Sequence, residues 1–484
     1  MRSIILIFLN IFFITKLAFT QQRRFEVVLN ETGIDNPRSI QQTSDSGYIV
    51  CGTSNSYNVR GDMDPYLVKF SPSGVVEWKK IYSDASIDNM KSVLLLNDGG
   101  FLMSGFTNKI NSIYSPYLIR TNSYGEIIWE KIYEGNDWEF LNASVELSDG
   151  SFILTGSTYR VSNGGPDGFI LKVDPLGNSI WKNIIPGAMK DEINSVNKCS
   201  NGDLILCGTT YSNGSGGSDI WLLRYDNNGN LIWSKTFGGP LNDFGYSVEE
   251  TTNGNIIFSG SYQSPDSVFQ FIAARTDSSG NEIWRYVNSK TSDEAFYSVH
   301  ETADGNLTAS GFTGNQTGGN EDFYLLRMNA NGNFMWAKTY GGLETEICYN
   351  MILTSDSGYA MIGETNTYGS NFPNLYLIKT DTFGVATGVI LNNIEDPSKF
   401  NNSFSVFPNP ANEIINLKLN STFPSEEKKT IEIISSEGVL VKTFSLIDSK
   451  NDFHFSAIDL SSGLYFVILK TSQTISIKKL CIQH

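Results

Sequence analysis

The sequence predicts an all-β protein, a seven-bladed β-propeller closed by an N-terminal strand and followed by a small β-sandwich. Two observations carry the propeller. A tryptophan returns every 51 or 52 residues, at Trp78, Trp129, Trp181, Trp233, Trp284 and Trp336. Each is preceded four residues earlier by a glycine (Gly74, Gly125, Gly177, Gly229, Gly280, Gly332) and, five residues before that, by a base (Lys69, Arg120, Lys172, Arg224, Arg275, Arg327). A seventh copy keeps Lys379 and Gly384 but has no tryptophan. The third observation is compositional: 44 glycines and 12% aromatic residues, without long helix-like periods, describe a turn-rich β chain. Fixed-period self-similarity settles architecture before any single residue does.

In chain order, Met1-Arg2, the apolar run Ile4–Phe13 and the small-residue stretch Leu17–Thr20 read as a secretory signal peptide over residues 1–20. The seven repeats follow, with the propeller over residues 24–390. In the fourth copy the strands read Ser195–Lys198, Asp203–Gly208, Ile220–Arg224 and Asn230–Lys235. Asx-Gly pairs such as Asp98-Gly99, Asp149-Gly150 and Asn201-Gly202 close the first hairpin, because they take positive φ cheaply. After Gly384 no aromatic anchor follows, so the last blade lacks its fourth strand and would leave an open edge. The orphan run Arg24–Leu29 is expected to fill it, by pairing with the segment around Tyr376–Lys379. A linker over residues 391–402 then leads to residues 403–484, where alternating strands are split by Pro-Asn, Glu-Gly and Ser-Gly turns.

Charge narrows the partners. Net charge is −16; residues 400–484 hold eight acids and eight bases, and the leader carries Arg2 and Lys16, which leaves −16 − 2 = −18 on the repeats. That excludes nucleic acid and anionic membrane surfaces as expected partners. No later run has about 18 consecutive apolar residues, so no spanning segment is expected in the mature chain. The five cysteines have no framework spacing, and Cys51 and Cys207 fill the same slot of two repeats as small core residues.

Three histidines (His300, His454, His484) are too few and too scattered for a His-dependent triad, and no metal-ligand spacing, nucleophile elbow or phosphate loop occurs. No catalytic residue, metal or cofactor is therefore expected. One periodic acid slot stands out: Asp35, Asp88, Asp191, Asp243, Glu294 and Glu346, with Phe140 (beside Glu139) in the third copy. Placed in the loops leading to the inner strands, these would form a ring able to gather cations or a basic ligand. The alternative is that each acid binds backbone N–H groups of its own turn. A second slot (Asp64, Asp167, Asp219, Asp322) is expected to cap the third strand, the tryptophans to pack between blades, and the seven bases to be solvated or paired with neighbouring blades.

Three stretches resemble known families or motifs. Gly216–Gly239, with Asp-Ile-Trp-Leu-Leu-Arg and Leu-Ile-Trp-Ser-Lys at its heart, resembles the SBBP type of bacterial β-propeller repeat. Phe-Pro-Asn-Pro-Ala (Phe407–Ala411), Glu437-Gly438 and Leu-Ser-Ser-Gly-Leu-Tyr (Leu460–Tyr465) resemble the C-terminal sorting domain (type A) of the type IX secretion system of Bacteroidetes-type bacteria. Its motif positions here are Pro408, Asn409, Pro410, Gly438, Gly463 and Tyr465; the tail Cys481–His484 departs from the pattern. The resemblance implies export through the type IX machinery, to the medium or the cell surface. Asp266-Ser267-Val268 resembles the O-glycosylation motif of these bacteria, with Ser267 as acceptor. The expected function is binding or adhesion toward an unknown extracellular protein or glycan. A polysaccharide hydrolase or lyase and a structural surface component are the alternatives.

Overall fold

The computed structural model describes residues 23–56, 61–83, 86–135, 137–159, 164–288, 292–314, 320–370, 372–387, 389–392, 404–419, 429–435, 440–446, 452–470 and 475–484. The signal peptide and most of the linker lie outside them. The described residues before 393 form seven sheets. Six are four-stranded antiparallel blades taken from consecutive strands; blade 1, for instance, runs Asp35–Gln42, Tyr48–Ser54, Asp64–Phe70 and Val76–Ile81. The inner strands start at Asp35, Asp88, Glu139, Asp191, Asp243, Glu294 and Glu346, and each packs beside the next, the last returning to the first. Seven separate apolar clusters fill the seven gaps between blades.

Closure follows the orphan-strand logic. Phe25–Leu29 pairs antiparallel with blade 7, Phe25 opposite Lys379 and Leu29 opposite Leu375. A fifth strand, Val389–Asn392, adds parallel to it on the outside. The chain therefore leaves the sheet after Asn392, two residues into the segment read as linker.

The tryptophan beat and the glycine beat are two halves of one contact. Trp181 sits opposite Arg224's counterpart Lys172 in its own blade, and its ring covers Gly229 of the next. The same cover joins Trp78 to Gly125, Trp129 to Gly177, Trp233 to Gly280, Trp284 to Gly332 and Trp336 to Gly384. These glycines all have positive φ, and a Cβ would collide with the indole. The seventh cover, on Gly74, comes from Phe25. The N-terminal strand thus replaces the missing tryptophan as well as the missing strand.

The periodic bases are not solvated: six of the seven clasp an acid of their own blade, and Arg224, Arg275 and Arg327 also reach the next blade, at Glu250, Glu301 and Tyr359. Lys69 lies 2.9 Å from Asp45, Arg224 3.0 Å from Asp203 and Lys379 2.9 Å from Asp356, each the acid of the first hairpin turn of its own blade. Arg120, Lys172 and Arg327 do the same with Asp98, Asp149 and Asp304. Blade 5 has Asn253 in that turn, and Arg275 reaches Glu301 of blade 6 at 3.1 Å instead. Six of the seven bases are buried, where an unpaired charge would be costly.

The described residues between 404 and 482 form two sheets, of three and four strands, around one core that includes Phe404, Ile415, Leu417, Ile431, Val467 and Leu480. This is the expected small sandwich.

Candidate functional site

The periodic acids come first, because the sequence singles them out. Asp35, Asp88, Asp191, Asp243, Glu294 and Glu346 are each the first residue of an inner strand, and none is more than 4% exposed. In blade 3 the slot belongs to Glu139, not Phe140. The expected open ring does not form, because each carboxylate turns into its own blade. Asp191 accepts hydrogen bonds from Ser212 Oγ at 2.6 Å and Tyr211 N at 3.2 Å. Asp243 accepts from Gly239 N at 2.6 Å and Gln263 N at 2.9 Å. Glu346 accepts from Thr365 Oγ1 at 2.7 Å and Gly342 N at 2.8 Å. Ser86 Oγ serves Asp88, Ser56 Oγ serves Asp35, and Asn288 Nδ2 serves Glu294. Glu139 is clamped by Lys182 Nζ, 2.6 Å from both oxygens. The second acid slot behaves alike: Asp64, Asp167 and Asp219 open third strands, Asp322 follows one residue in, and Gly187 N donates to Asp167 at 2.8 Å. These acids hold loops together.

The feature that faces the channel lies three residues further on. In all seven inner strands the register slips between the third and fifth residues, so the fourth is a β-bulge with no cross-strand partner. Bulges re-aim side chains and are frequent beside functional sites. The bulged residues are Arg38, Lys91, Asn142, Asn194, Tyr246, Tyr297 and Tyr349, and several of them meet the neighbouring inner strand. Asn142 Nδ2 donates to Ile193 O at 3.0 Å, and Asn194 Nδ2 to Gly245 O at 2.9 Å. The Tyr246 and Tyr297 rings are 4.7 Å apart, and Tyr297 and Tyr349 5.9 Å. The Arg38 guanidinium lies 3.9 Å over the Tyr349 ring. Because each bulge shifts the period-2 alternation, strand starts read from the sequence fall several residues late.

At the rim above this girdle, blades 2 and 3 carry an aromatic platform. Phe106 meets Phe140 at 4.8 Å and Tyr114 at 5.6 Å; Tyr114 meets Trp138 at 5.7 Å, and Trp138 meets Tyr159 at 6.1 Å. Trp138 is 49% and Tyr159 46% exposed. Lys91 Nζ lies 5.9 Å over Phe106, which joins the platform to the bulge girdle. Burial, with Arg38 adding to it, holds the Lys91 ammonium down at about 8 against the pull of Glu192. Glu364 is pushed up by burial, against hydrogen bonding to Tyr349 and the nearby Arg38. Deeper in the same strands, His300 bridges blades: Nδ1 is 2.6 Å from Glu249 and Nε2 2.8 Å from Met351 O. Among the described residues no group of three or more His, Cys, Asp or Glu is arranged to hold a metal.

Sequence reasoning missed this site for a plain reason: it looked for what repeats. The bulge slot holds Arg, Lys, Asn, Asn, Tyr, Tyr and Tyr in turn. Divergence at one position of a symmetric scaffold was the signal available.

The remaining predicted residues divide as follows. Ser267 has φ +65 in an exposed turn closed by its N–H to Ser264 O at 2.8 Å. In the tail, Asn409 sits between Pro408 and Pro410 and its Oδ1 accepts from Cys481 N at 2.8 Å, so the Pro-Asn-Pro turn docks on the final strand. Cys481 is thereby part of the fold. Gly463 opens the strand Gly463–Lys470, and buried Tyr465 donates to Ser461 O at 2.9 Å. Gly438 lies outside the described residues.

Known proteins add two things. In overall shape the chain is similar to the Pan2 WD40 domain of Neurospora crassa (11% identity, 74% of this chain and 96% of that one, TM-score 0.45). It is also similar to puromycin hydrolase (12% identity, 79% and 58%, TM-score 0.48). No curated protein matches the chain in sequence. Residues 405–483 match the family described as the secretion system C-terminal sorting domain. The chain is thus a β-propeller carrying a type IX sorting tail, which implies engagement of that machinery and export to the cell surface or the medium.

Proposed function

We propose that this protein is an exported binding module, with repeats of the SBBP type, whose ligand sits on the aromatic platform and bulge girdle at the mouth of the channel. One observation carries the reading. Everything periodic in the blades is consumed by structure: tryptophan covers glycine, base clasps turn acid, inner-strand acid holds its loop. The side chains that fill the bulge slot and the platform are not periodic, are partly open to solvent, and combine flat apolar faces with a few convergent polar groups, the ordinary make-up of a ligand site.

The test is a screen of the exported chain against extracellular glycans and surface proteins, alongside a Trp138→Ala/Tyr159→Ala double variant. Both side chains are about half exposed, so the melting temperature should move little. Binding found for the parent should be lost. Hits retained in full by the double variant would place the ligand elsewhere.

A further inference from the structure

Resting on the mouth as ligand seat, we infer that its ligand is an anionic oligosaccharide, the charged group held between Arg38 and Lys91 and a sugar ring laid on the adjoining aromatic platform. The two cations occupy the same bulge position of neighbouring inner strands, which pack side by side. Among the described residues neither has a carboxylate within ion-pair distance, and Lys91 makes no hydrogen bond. Arg38 Nε is buried without a hydrogen-bond partner. In a propeller with net charge −18 nearly every other buried base has its own acid, so two adjacent cations without one are the exception. Partly buried cations of like sign repel, and a bound anion would relieve both; a planar guanidinium also suits bidentate capture of a carboxylate. Burial and Arg38 together depress the Lys91 ammonium against the pull of Glu192, as expected of a cation short of counter-charge, and the Arg38 charge acts in turn on the nearby Glu364.

The platform supplies the other half of the chemistry. Phe106 lies under Lys91 and leads without a break to Phe140, Tyr114, Trp138 and Tyr159. Ring faces of this kind stack on the C–H face of a pyranose. Asn89, cross-strand from Phe106, adds a buried side-chain oxygen with no donor, a polar group left unsatisfied beside the platform. An anion beside a flat, hydroxyl-bearing ring describes a sugar acid or a sulfated sugar better than a peptide.

Calorimetry on the full exported chain with three probes of equal length tests this: an oligogalacturonate, its carboxyl-reduced neutral counterpart and a sulfated oligosaccharide. The expected result is that an anionic probe binds at least about tenfold more tightly than the neutral one, the scale of one charged hydrogen bond. Lys91→Gln and Arg38→Gln should each remove most of that margin, Lys91→Arg should restore it, and unchanged melting temperatures should show that the variants fold. Whichever anionic probe responds to Lys91→Gln identifies carboxylate or sulfate as the charged group. Equal binding of neutral and anionic probes, or an anionic margin untouched by both Gln variants, overturns the inference. If no probe binds yet Trp138→Ala abolishes capture of another ligand, the ligand class falls and the mouth stands. Binding indifferent to Trp138→Ala removes the mouth itself.

Discussion

Gly229 and Gly202 look alike in the sequence, each a turn glycine in the fourth repeat. Both need a left-handed backbone, with φ +86 and +90. They differ in what a methyl group would meet. At Gly202 nothing lies within 4 Å, whereas at Gly229 the added carbon would meet the Asn183 amide at 2.7 Å and the Trp181 ring at 3.0 Å, both of the preceding blade. Gly202→Ala should cost only the backbone strain, about 1–2 kcal/mol. Gly229→Ala should cost that plus displacement of the Asn183 amide and the indole, a further 1–3 kcal/mol or so by the usual scale of overpacking. Urea midpoints of the two variants check the difference, and equal losses would mean that the Asn183 amide and the indole move aside freely. The comparison also shows what periodicity can reveal. It exposes both residues of a repeating contact, but every offset between two periodic positions repeats equally well. Nothing in the beat says that Trp181 touches the next blade's Gly229 instead of Gly177 in its own.

At the scale of the element, the closure was legible and the bulges were not. The missing anchor after Gly384 and the spare run Arg24–Leu29 made one complementary pair, since an edge strand demands a partner. The parallel strand Val389–Asn392 left no such trace, being short and without a repeat counterpart. The seven bulges were hidden because strand recognition relies on alternation, and a bulge breaks alternation where the channel side chains sit. Closure gives a sharp prediction at Phe25. It is buried, pairs opposite Lys379, packs edge-on to Tyr48 5.9 Å away and covers Gly74. Phe25→Ala should lose about 3–5 kcal/mol, as for a large core aromatic, and open the seam between blades 7 and 1 first. Phe25→Trp should be tolerated, because six equivalent covers are indoles. Hydrogen exchange at Val27–Leu29 and Leu375–Ile378 would report the opening; protection unchanged in Phe25→Ala would show the ring held shut by other contacts.

For the whole molecule, the cores divide the labour. Seven inter-blade clusters draw only on residues before 387, and the eighth draws only on residues 404–482. The charge divides the same way, −18 on the repeats and zero on residues 400–484. A unit with its own apolar core can be removed without emptying another's, so deleting residues 403–484 should leave the propeller's melting temperature within a few degrees of the parent's. Delivery should not survive the deletion, because the sorting-domain match lies wholly within that segment. The truncated chain is expected to accumulate in the periplasm, folded and competent to bind. A point change separates address from bulk: Asn409→Ala removes the hydrogen bond that ties the Pro-Asn-Pro turn to Cys481 N, an exposed contact expected to contribute about 1 kcal/mol to the tail and nothing to the blades. If the machinery reads the docked turn, Asn409→Ala should lower the exported fraction severalfold while propeller stability is unchanged. Quantifying the protein in medium, surface and periplasmic fractions decides it. Normal export of the truncation would break the link between tail and delivery. Normal export of Asn409→Ala alone would move recognition away from the turn and toward the strands that carry Gly463 and Tyr465.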